Sequence, residues 1–335
     1  MSRQRHPPLS SAHHRPGGGF QNPWPGAELH DFGDFLKWRL GERRHKHIEP
    51  NPPRDSYPRR TPLVVSPRAA KDFRAVTWVG HSSVLLQIGG LNVLTDPVWS
   101  ERASPVQWVG PRRVMSPGID FDQLPDIDVV LQSHNHYDHL DRDTVRRISA
   151  RFPNASWLCP LRVGSLLRSF GVRHLVERDW WQTIESPMYT ATCVPSQHFS
   201  SRSLGDRNET LWCGWIIDVG GCRVLFAGDT ALHPEFDAIG QLGPFDLVML
   251  PIGAYDPRWF MRAVHMDPAD AVEAYRTLAR ATATTPPCLA LHWGTFRLTD
   301  EPMIEPPNLF AELWNAAGLP PERNWTFAHG ETRRF

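Results

Sequence analysis

From Phe73 onward the apolar positions fall into short runs bounded by Gly, Pro and Asp, which is the pattern of buried strands alternating with helices. "FRAVTWVG" (73–80) and "SVLLQIGGLNVLTDP" (83–97) read as β, with Gly89-Gly90 as a hairpin turn. A proline-rich loop follows over 98–125. "DVVLQS", "SWLCP", "HLVERD" and "MYTATCVPSQ" are strands, and "RDTVRRISARF" and "RVGSLLRSFG" are helices, the second closed by Gly171. The second half repeats the style. "WCGWIIDVGGCRVLFAG" is a hairpin turned at Gly220-Gly221, "EFDAIGQLG" a short helix and "FDLVMLP" a buried strand. "DPADAVEAYRTLAR" is a helix with Asp267 as N-cap and Pro268 at its first turn. "PCLALH" is a strand, "NLFAELWNAAG" a helix and "WTFAHG" the last strand.

Hairpins and βα units in both halves predict two mixed sheets packed together with helices outside, a four-layer αββα sandwich of the α/β class. It occupies residues 71–335. Residues 1–70 are rich in Pro, Gly, Arg and His and read as a mostly irregular arm with one amphipathic helix near 31–44. The arm histidines, in "AHHRPGG" and "RRHKHIE", read as surface side chains on a disordered segment rather than as ligands.

Composition narrows the function. A formal net charge of zero argues against nucleic-acid binding through bulk electrostatics. The five cysteines stand singly, which indicates reduced, buried thiols in a cytoplasmic protein rather than disulfides or a zinc ribbon. No apolar run has the length of a spanning helix, and the first 20 residues lack the apolar stretch of a secretory signal; contact with a membrane surface stays open.

The chemistry concentrates in "SHNHYDHLD" (133–141), directly behind a buried strand. His134 and His136 are two apart, so an extended backbone points both the same way. Asp138 and His139 lie on the turn into the next helix. Four imidazole or carboxylate donors in six residues rarely serve packing, because buried unpaired polar groups are costly. His198, Asp229 and His292 each follow an apolar strand, at the sheet edge where α/β proteins build sites. Seven N and O donors exceed one tetrahedral zinc. Two ions fit: His134, His136 and His198 on the first, Asp138, His139 and His292 on the second, with Asp229 bridging. Manganese and iron are compatible with the same donors.

The HxHxDH hexad followed by isolated His, Asp and His resembles the metallo-β-lactamase superfamily. "TWVGHSSVLL", "LTDPVWSERASPVQWVGPRR", "PSQHFSSR", "FAGDT", "GPFDLVMLPIGAYDPRWFM" and "HWGTF" resemble its N-acylphosphatidylethanolamine-hydrolysing phospholipase D branch, over about 73–335, and "NPWP" (22–25) also matches. The resemblance implies the αββα fold, two zinc ions on the seven donors, and phosphodiester hydrolysis that releases an N-acylethanolamine and phosphatidic acid. It implies that Asp96 orients a ligand, and by analogy a homodimer. Phe199 and Ala231 stand where animal members carry Trp and Gly. Asn135 stands where di-iron members carry Glu, and Asp229 where common zinc β-lactamases carry Cys.

Asp138 and Asp229 would hold the metals and orient the nucleophile. His265, in a loop before a helix N-terminus, is a candidate to contact phosphate or leaving group, or else it braces the loop. Tyr137, Tyr255 and Trp259 are candidate substrate contacts, and Trp180, Trp181 and Phe260 candidate walls for acyl chains, against the simpler reading of all six as packing. The alternative function is a metal-dependent hydrolase of another small ester, lactone or phosphodiester on the same scaffold.

Overall fold

The computed structural model describes residues 11–335 except 44, 45 and 204. The leading residues 1–10, the last residue of the helix expected over 31–44, and one histidine of "RRHKHIE" lie outside them.

The first sheet is formed by β1 (Arg74–Gly80), β2 (Ser83–Ile88), β3 (Leu91–Thr95), β4 (Val129–Leu131), β5 (Ser156–Pro160) and β6 (His174–Arg178), joined by β14 (Thr332–Arg334), in the order β14-β1-β2-β3-β4-β5-β6. The second contains β7 (Thr183–Glu185), β8 (Thr190–Val194), β9 (Gly214–Val219), β10 (Cys222–Phe226), β11 (Leu247–Pro251), β12 (Cys288–Leu291) and β13 (Asn324–Trp325), in the order β13-β12-β11-β10-β9-β8-β7. Each sheet joins antiparallel hairpins to parallel strands, as β2–β3 to β3–β4 and β9–β10 to β10–β11.

The period-2 alternation of strands decides the layers. Val84, Leu86 and Ile88 of β2 point into the main core between the sheets, while Leu85 points to a second core under α2 (Arg142–Arg151) and α3 (Gly164–Ser169). In the same way Val129 and Leu131 face inward and Val130 outward. On the far side, α4 (Phe236–Gly240), α6 (Pro268–Thr282) and α7 (Glu305–Ala316) cover the second sheet through Phe236, Tyr275, Phe310 and Trp314. The result is the expected αββα sandwich. Asp267 caps α6 by accepting from the Asp270 N–H, with Pro268 in the first turn.

Several local expectations give way. The last strand is β14, because "WTFAHG" joins the second sheet only through Trp325 before His329 and Gly330 turn toward β1. β7 and the four-residue α5 (Arg258–Met261) are additional; both are too short to show a period. The arm helix is α1 (Phe32–Leu36), continued by a π-helical turn over Lys37–Glu42.

The described part of the arm is irregular but packed. Phe20 is 1% exposed and Trp38 donates its indole N–H to Asp300 at 2.6 Å. His13 is 4% exposed and faces Asp179, so this histidine is not the surface side chain expected, whereas His47 is exposed as expected. A Pro-rich segment hides such packing, because its anchors follow no fixed spacing. All five cysteines are buried and free. No helix among the described residues is long and apolar enough to cross a membrane.

Candidate metal centre

The donors gather on one rim, each just past the end of a strand. β4 runs into Ser133 and then through His134, His136, Asp138 and His139 to the Asp141 cap of α2. His198 follows β8, Asp229 follows β10 and His292 follows β12. Gly228 lets the chain turn into Asp229: its φ is +63°, and a Cβ there would lie 2.7 Å from the Cys213 carbonyl oxygen. All seven predicted ligands therefore come together.

Their hydrogen bonds fix which nitrogens face inward. His139 donates Nδ1–H to Asp96 at 2.7 Å, and His198 donates Nδ1–H to the Val264 carbonyl at 2.8 Å. Ser133 gives its single hydroxyl proton to Asp96, so at 2.8 Å it accepts from His134 Nδ1–H. All three rings thus turn Nε2 into the pocket, and His134 and His198 present it without a proton, the form a metal requires. His136 Nδ1 lies 2.9 Å from His134 Nε2 and 3.2 Å from His198 Nε2. One proton on His136 can satisfy only one of these lone pairs. A cation satisfies all three nitrogens.

The second group centres on carboxylates. Asp229 Oδ2 lies 2.9 Å from both His139 Nε2 and His292 Nε2, and Asp138 Oδ2 lies 3.4 Å from each. Yet His139 Nε2, both ring nitrogens of His292 and Asp229 Oδ1 are buried without a hydrogen-bond partner among the described residues. Close approach without directed bonds is what ligand atoms show when they converge on a common point. The donor sets His134–His136–His198 and His81–Asp138–His139–His292 each fit a metal ion.

The electrostatics separate the two groups. Burial pushes the imidazole of His134 far down, that of His136 to about 3 and that of His198 to about 4, so their lone pairs stay available. Burial also acts on His139 and His292, but the facing Asp229 and Asp138 overcome it, raising His139 strongly and His292 to about 9. Both carboxylates are held well below their ordinary range: burial opposes this, and the histidines around them prevail.

Asp96 lies directly behind His139. It is fully buried and accepts from Ser133 N–H at 2.7 Å and Gln132 Nε2 at 3.0 Å as well as from His139. His265 is buried, with Nδ1 4.0 Å from Asp229 Oδ2 and its ring 4.9 Å from that of His198. Phe199 packs its ring 4.5 Å from His136, in an apolar patch with Phe260, Met261 and Val264.

The other expected contacts scatter. Tyr137 lines a cleft of about 220 Å³ with Arg142 and Phe170, and its hydroxyl donates to the Arg202 carbonyl at 2.9 Å. Tyr255 is buried and donates to Glu305 at 2.5 Å. Trp259 lines a cleft of about 470 Å³ between the arm and the domain. Trp180 and Trp181 are core residues, not pocket walls: Trp180 donates to the Trp212 carbonyl at 2.7 Å and stacks on Trp24. Two adjacent large aromatics read as a wall only because their faces are invisible in sequence.

His81 was not anticipated. It is 1% exposed, its Nε2 lies 2.9 Å from Asp138 Oδ2 and its ring 4.0 Å from that of His292. It follows β1 directly, so the strand-end rule that found the other donors would have found it. Asn22 of "NPWP" was also missed as a site element. Its side chain donates to the His198 carbonyl at 2.9 Å and accepts the His198 N–H at 3.2 Å.

Two mixed sheets back to back, with a rim of His and Asp donors, define an αββα metal-dependent hydrolase. The family model described as beta-lactamase superfamily domain matches residues 91–293. The chain is 36% identical over 319 residues to N-acyl-phosphatidylethanolamine-hydrolyzing phospholipase D 1 of Caenorhabditis elegans, covering 89% of this chain and 86% of that protein. It is 46% identical over 235 residues to the uncharacterized protein Rv0906 of Mycobacterium tuberculosis, covering 69% of this chain and 62% of the relative. Among solved structures, the metallo hydrolase Igni18 of Ignicoccus hospitalis superposes with a TM-score of 0.58 at 22% identity, over 78% of this chain and 98% of that one. The chain belongs to the beta-lactamase superfamily, within the branch that contains N-acylphosphatidylethanolamine-hydrolysing phospholipase D.

Proposed function

We propose that this protein is a dinuclear zinc phosphodiesterase that hydrolyses N-acylphosphatidylethanolamine-like lipids to an N-acylethanolamine and phosphatidic acid. The observation that carries the reading is the convergence of buried His and Asp donors in two groups, His134–His136–His198 and Asp138–His139–His292, with His139 Nε2, both His292 ring nitrogens and Asp229 Oδ1 left without a hydrogen-bond partner among the described residues. The likeness to the nematode phospholipase D over most of both chains supports the substrate class. His134, His136 and His198 would hold one ion, Asp138, His139 and His292 the other, and Asp229 both.

When bound, two divalent ions clamp the phosphate as Lewis acids and lower the pKa of water from about 15.7 toward about 7. The chain's own residues do the rest. Asp96 keeps His139 in the tautomer that presents Nε2, and Val264 does the same for His198. Water adds to phosphorus through its oxygen as one O–H bond breaks, the bond from phosphorus to the ethanolamine oxygen breaks, and the proton that water loses balances the one the departing alkoxide gains. The departing oxygen needs a proton or a hydrogen-bond donor, and His265, buried beside Asp229, would provide it. Phe199, Phe260 and Val264 give an apolar flank next to the first ligand group.

A second reading, hydrolysis of another small ester or phosphodiester, is favoured by one finding: Trp180 and Trp181 lie in the core and leave the pocket without those two expected acyl walls. Metal-quantified protein incubated with a mixed lipid extract separates the two. N-Acylethanolamine and phosphatidic acid appearing together support the phospholipase reading; intact lipid alongside turnover of small phosphodiesters supports the second. For the ligand assignment, Asp229→Asn and His292→Ala should each lose bound zinc and activity, and two retained ions with full activity in both would remove it.

A further inference from the structure

Away from the donor rim, the arm and the loop after β6 bring together another set of ligand-type atoms. His13 Nε2 lies 2.6 Å from Asp179 Oδ1, and His14 Nε2 lies 2.7 Å from Asp179 Oδ2. The three ligand atoms lie within 4.8 Å of one another. Two imidazole nitrogens and a carboxylate are a zinc donor set, and a partly exposed His14 leaves room for entry and for water as a fourth ligand.

The groups behind these donors are already fixed, as they are behind metal ligands. Asp179 accepts the Trp180 N–H at 2.8 Å, and its own N–H donates to Gln182 at 3.0 Å. The His13 ring stacks on Trp180 with centroids 4.3 Å apart. The His13 carbonyl accepts from the Gln21 N–H at 2.8 Å. From there the arm runs through buried Phe20 to Asn22, which brackets the main chain of His198, and to Trp24, which stacks on Trp180 and His233. A fastener at His13 and His14 therefore acts on the segment that touches the catalytic rim.

We propose that His13, His14 and Asp179 form a further zinc site, separate from the donor rim, which clasps the arm to the domain and keeps Asn22 against His198. The arrangement would otherwise be a metal-free His–Asp–His hydrogen-bonded cluster, and the experiment decides between them.

Full-length protein is stripped with a chelator and reloaded with zinc alone, and zinc per chain is measured for wild type, the His13→Gln/His14→Gln double variant and the rim variant Asp229→Asn/His292→Ala. The arm substitutions lie outside both sheets, so the domain should fold. The double variant should bind one equivalent fewer than wild type, and the rim variant should keep an equivalent that disappears when His13 and His14 are also replaced. Limited proteolysis gives a second readout. At zinc 100 times the site's Kd, cleavage of the arm should slow about 100-fold in the rim variant and stay unchanged once His13 and His14 are replaced. Equal zinc content with and without His13 and His14, or arm cleavage indifferent to zinc, overturns the clasp. Loss of the rim zinc alone would bear on the hydrolase reading and leave the clasp standing.

Discussion

The pairing of Asn22 with His198 permits a sharp test of whether the arm belongs to the site. Asn22→Asp is nearly isosteric and keeps one of the two bonds: a carboxylate oxygen can still accept the His198 N–H, now at 3.2 Å. It replaces the amide N–H that donates to the His198 carbonyl at 2.9 Å with an oxygen that cannot donate. The cost is that of a largely buried carbonyl left unpaired against a like partial charge, about 1–3 kcal/mol. If that loss falls on the geometry of His198, about 1.4 kcal/mol corresponds to tenfold in an equilibrium constant, so zinc affinity should fall by about 10- to 100-fold. Competition with a chromophoric chelator measures the affinity, and urea unfolding of the stripped protein separates it from stability. Asn22→Ala, which removes both bonds, should weaken zinc binding too. Wild-type zinc affinity in both variants would refute the idea that the arm positions His198.

Other outcomes follow from the same geometry. Asp96→Asn replaces one of the acceptor oxygens facing His139, Ser133 and Gln132 with a donor, and zinc affinity measured by competition should drop about 10- to 100-fold with the sheets intact by circular dichroism. His233 is buried between Trp24 and Phe236 with neither ring nitrogen hydrogen-bonded among the described residues, and burial pushes it down to about 3 from an ordinary 6.5. Between those values the unfolded chain binds a proton that the folded chain does not, so wild-type stability should fall by about 1.4 kcal/mol per pH unit as pH drops below 6.5, relative to His233→Phe; equal slopes in urea titrations would contradict this. At His81, where φ is +56°, glycine should be more stable than alanine by about 1 kcal/mol in thermal unfolding, since alanine keeps the backbone strain; the reverse order would show that the residue is not left-handed in solution.

Legibility in the sequence tracked how local the information was. "SHNHYDHLD" puts four donors in one turn, so composition alone betrays it. His198, Asp229 and His292 are single residues, but each follows an apolar run, and the strand-end rule selects them. His81 obeys the same rule after "FRAVTWVG", but a lone histidine before two serines carries no signal of its own. The arm was illegible for another reason. Its anchors Phe20, Asn22, Trp24 and Trp38 are spaced irregularly and reach partners over 100 residues away, so no period marks them. Trp180 and Trp181 failed in the opposite direction: aromatic bulk was visible, but which side of the sheet it fills depends on the packing of Trp24 and Trp212.

What the sequence hides most completely is how the rim aims its side chains. His81, Asp96 and His292 are the first residues beyond β1, β3 and β12, and all three have positive φ, at 56°, 30° and 64°. An extended continuation would send each next side chain to one face of its sheet, into a packed layer. A left-handed turn lifts it onto the rim instead. Glycine would turn more easily but has no donor to offer, so the chain accepts about 1–3 kcal/mol of strain at each position. Neighbouring bonds hold the strained backbone in place. The His81 N–H donates to Thr295 Oγ1 at 2.7 Å, and the His292 N–H donates to the His81 carbonyl at 3.2 Å. The Asp96 N–H donates to the Leu131 carbonyl at 3.0 Å, and its carbonyl accepts from Ser83 Oγ at 2.6 Å. His81 and His292 are thus tied to each other through the backbone as well as through Asp138, and they come from different sheets. The centre is therefore also a seam, where strain in one sheet is braced by hydrogen bonds from the other, and a change at either strand end should be felt by ligands on both.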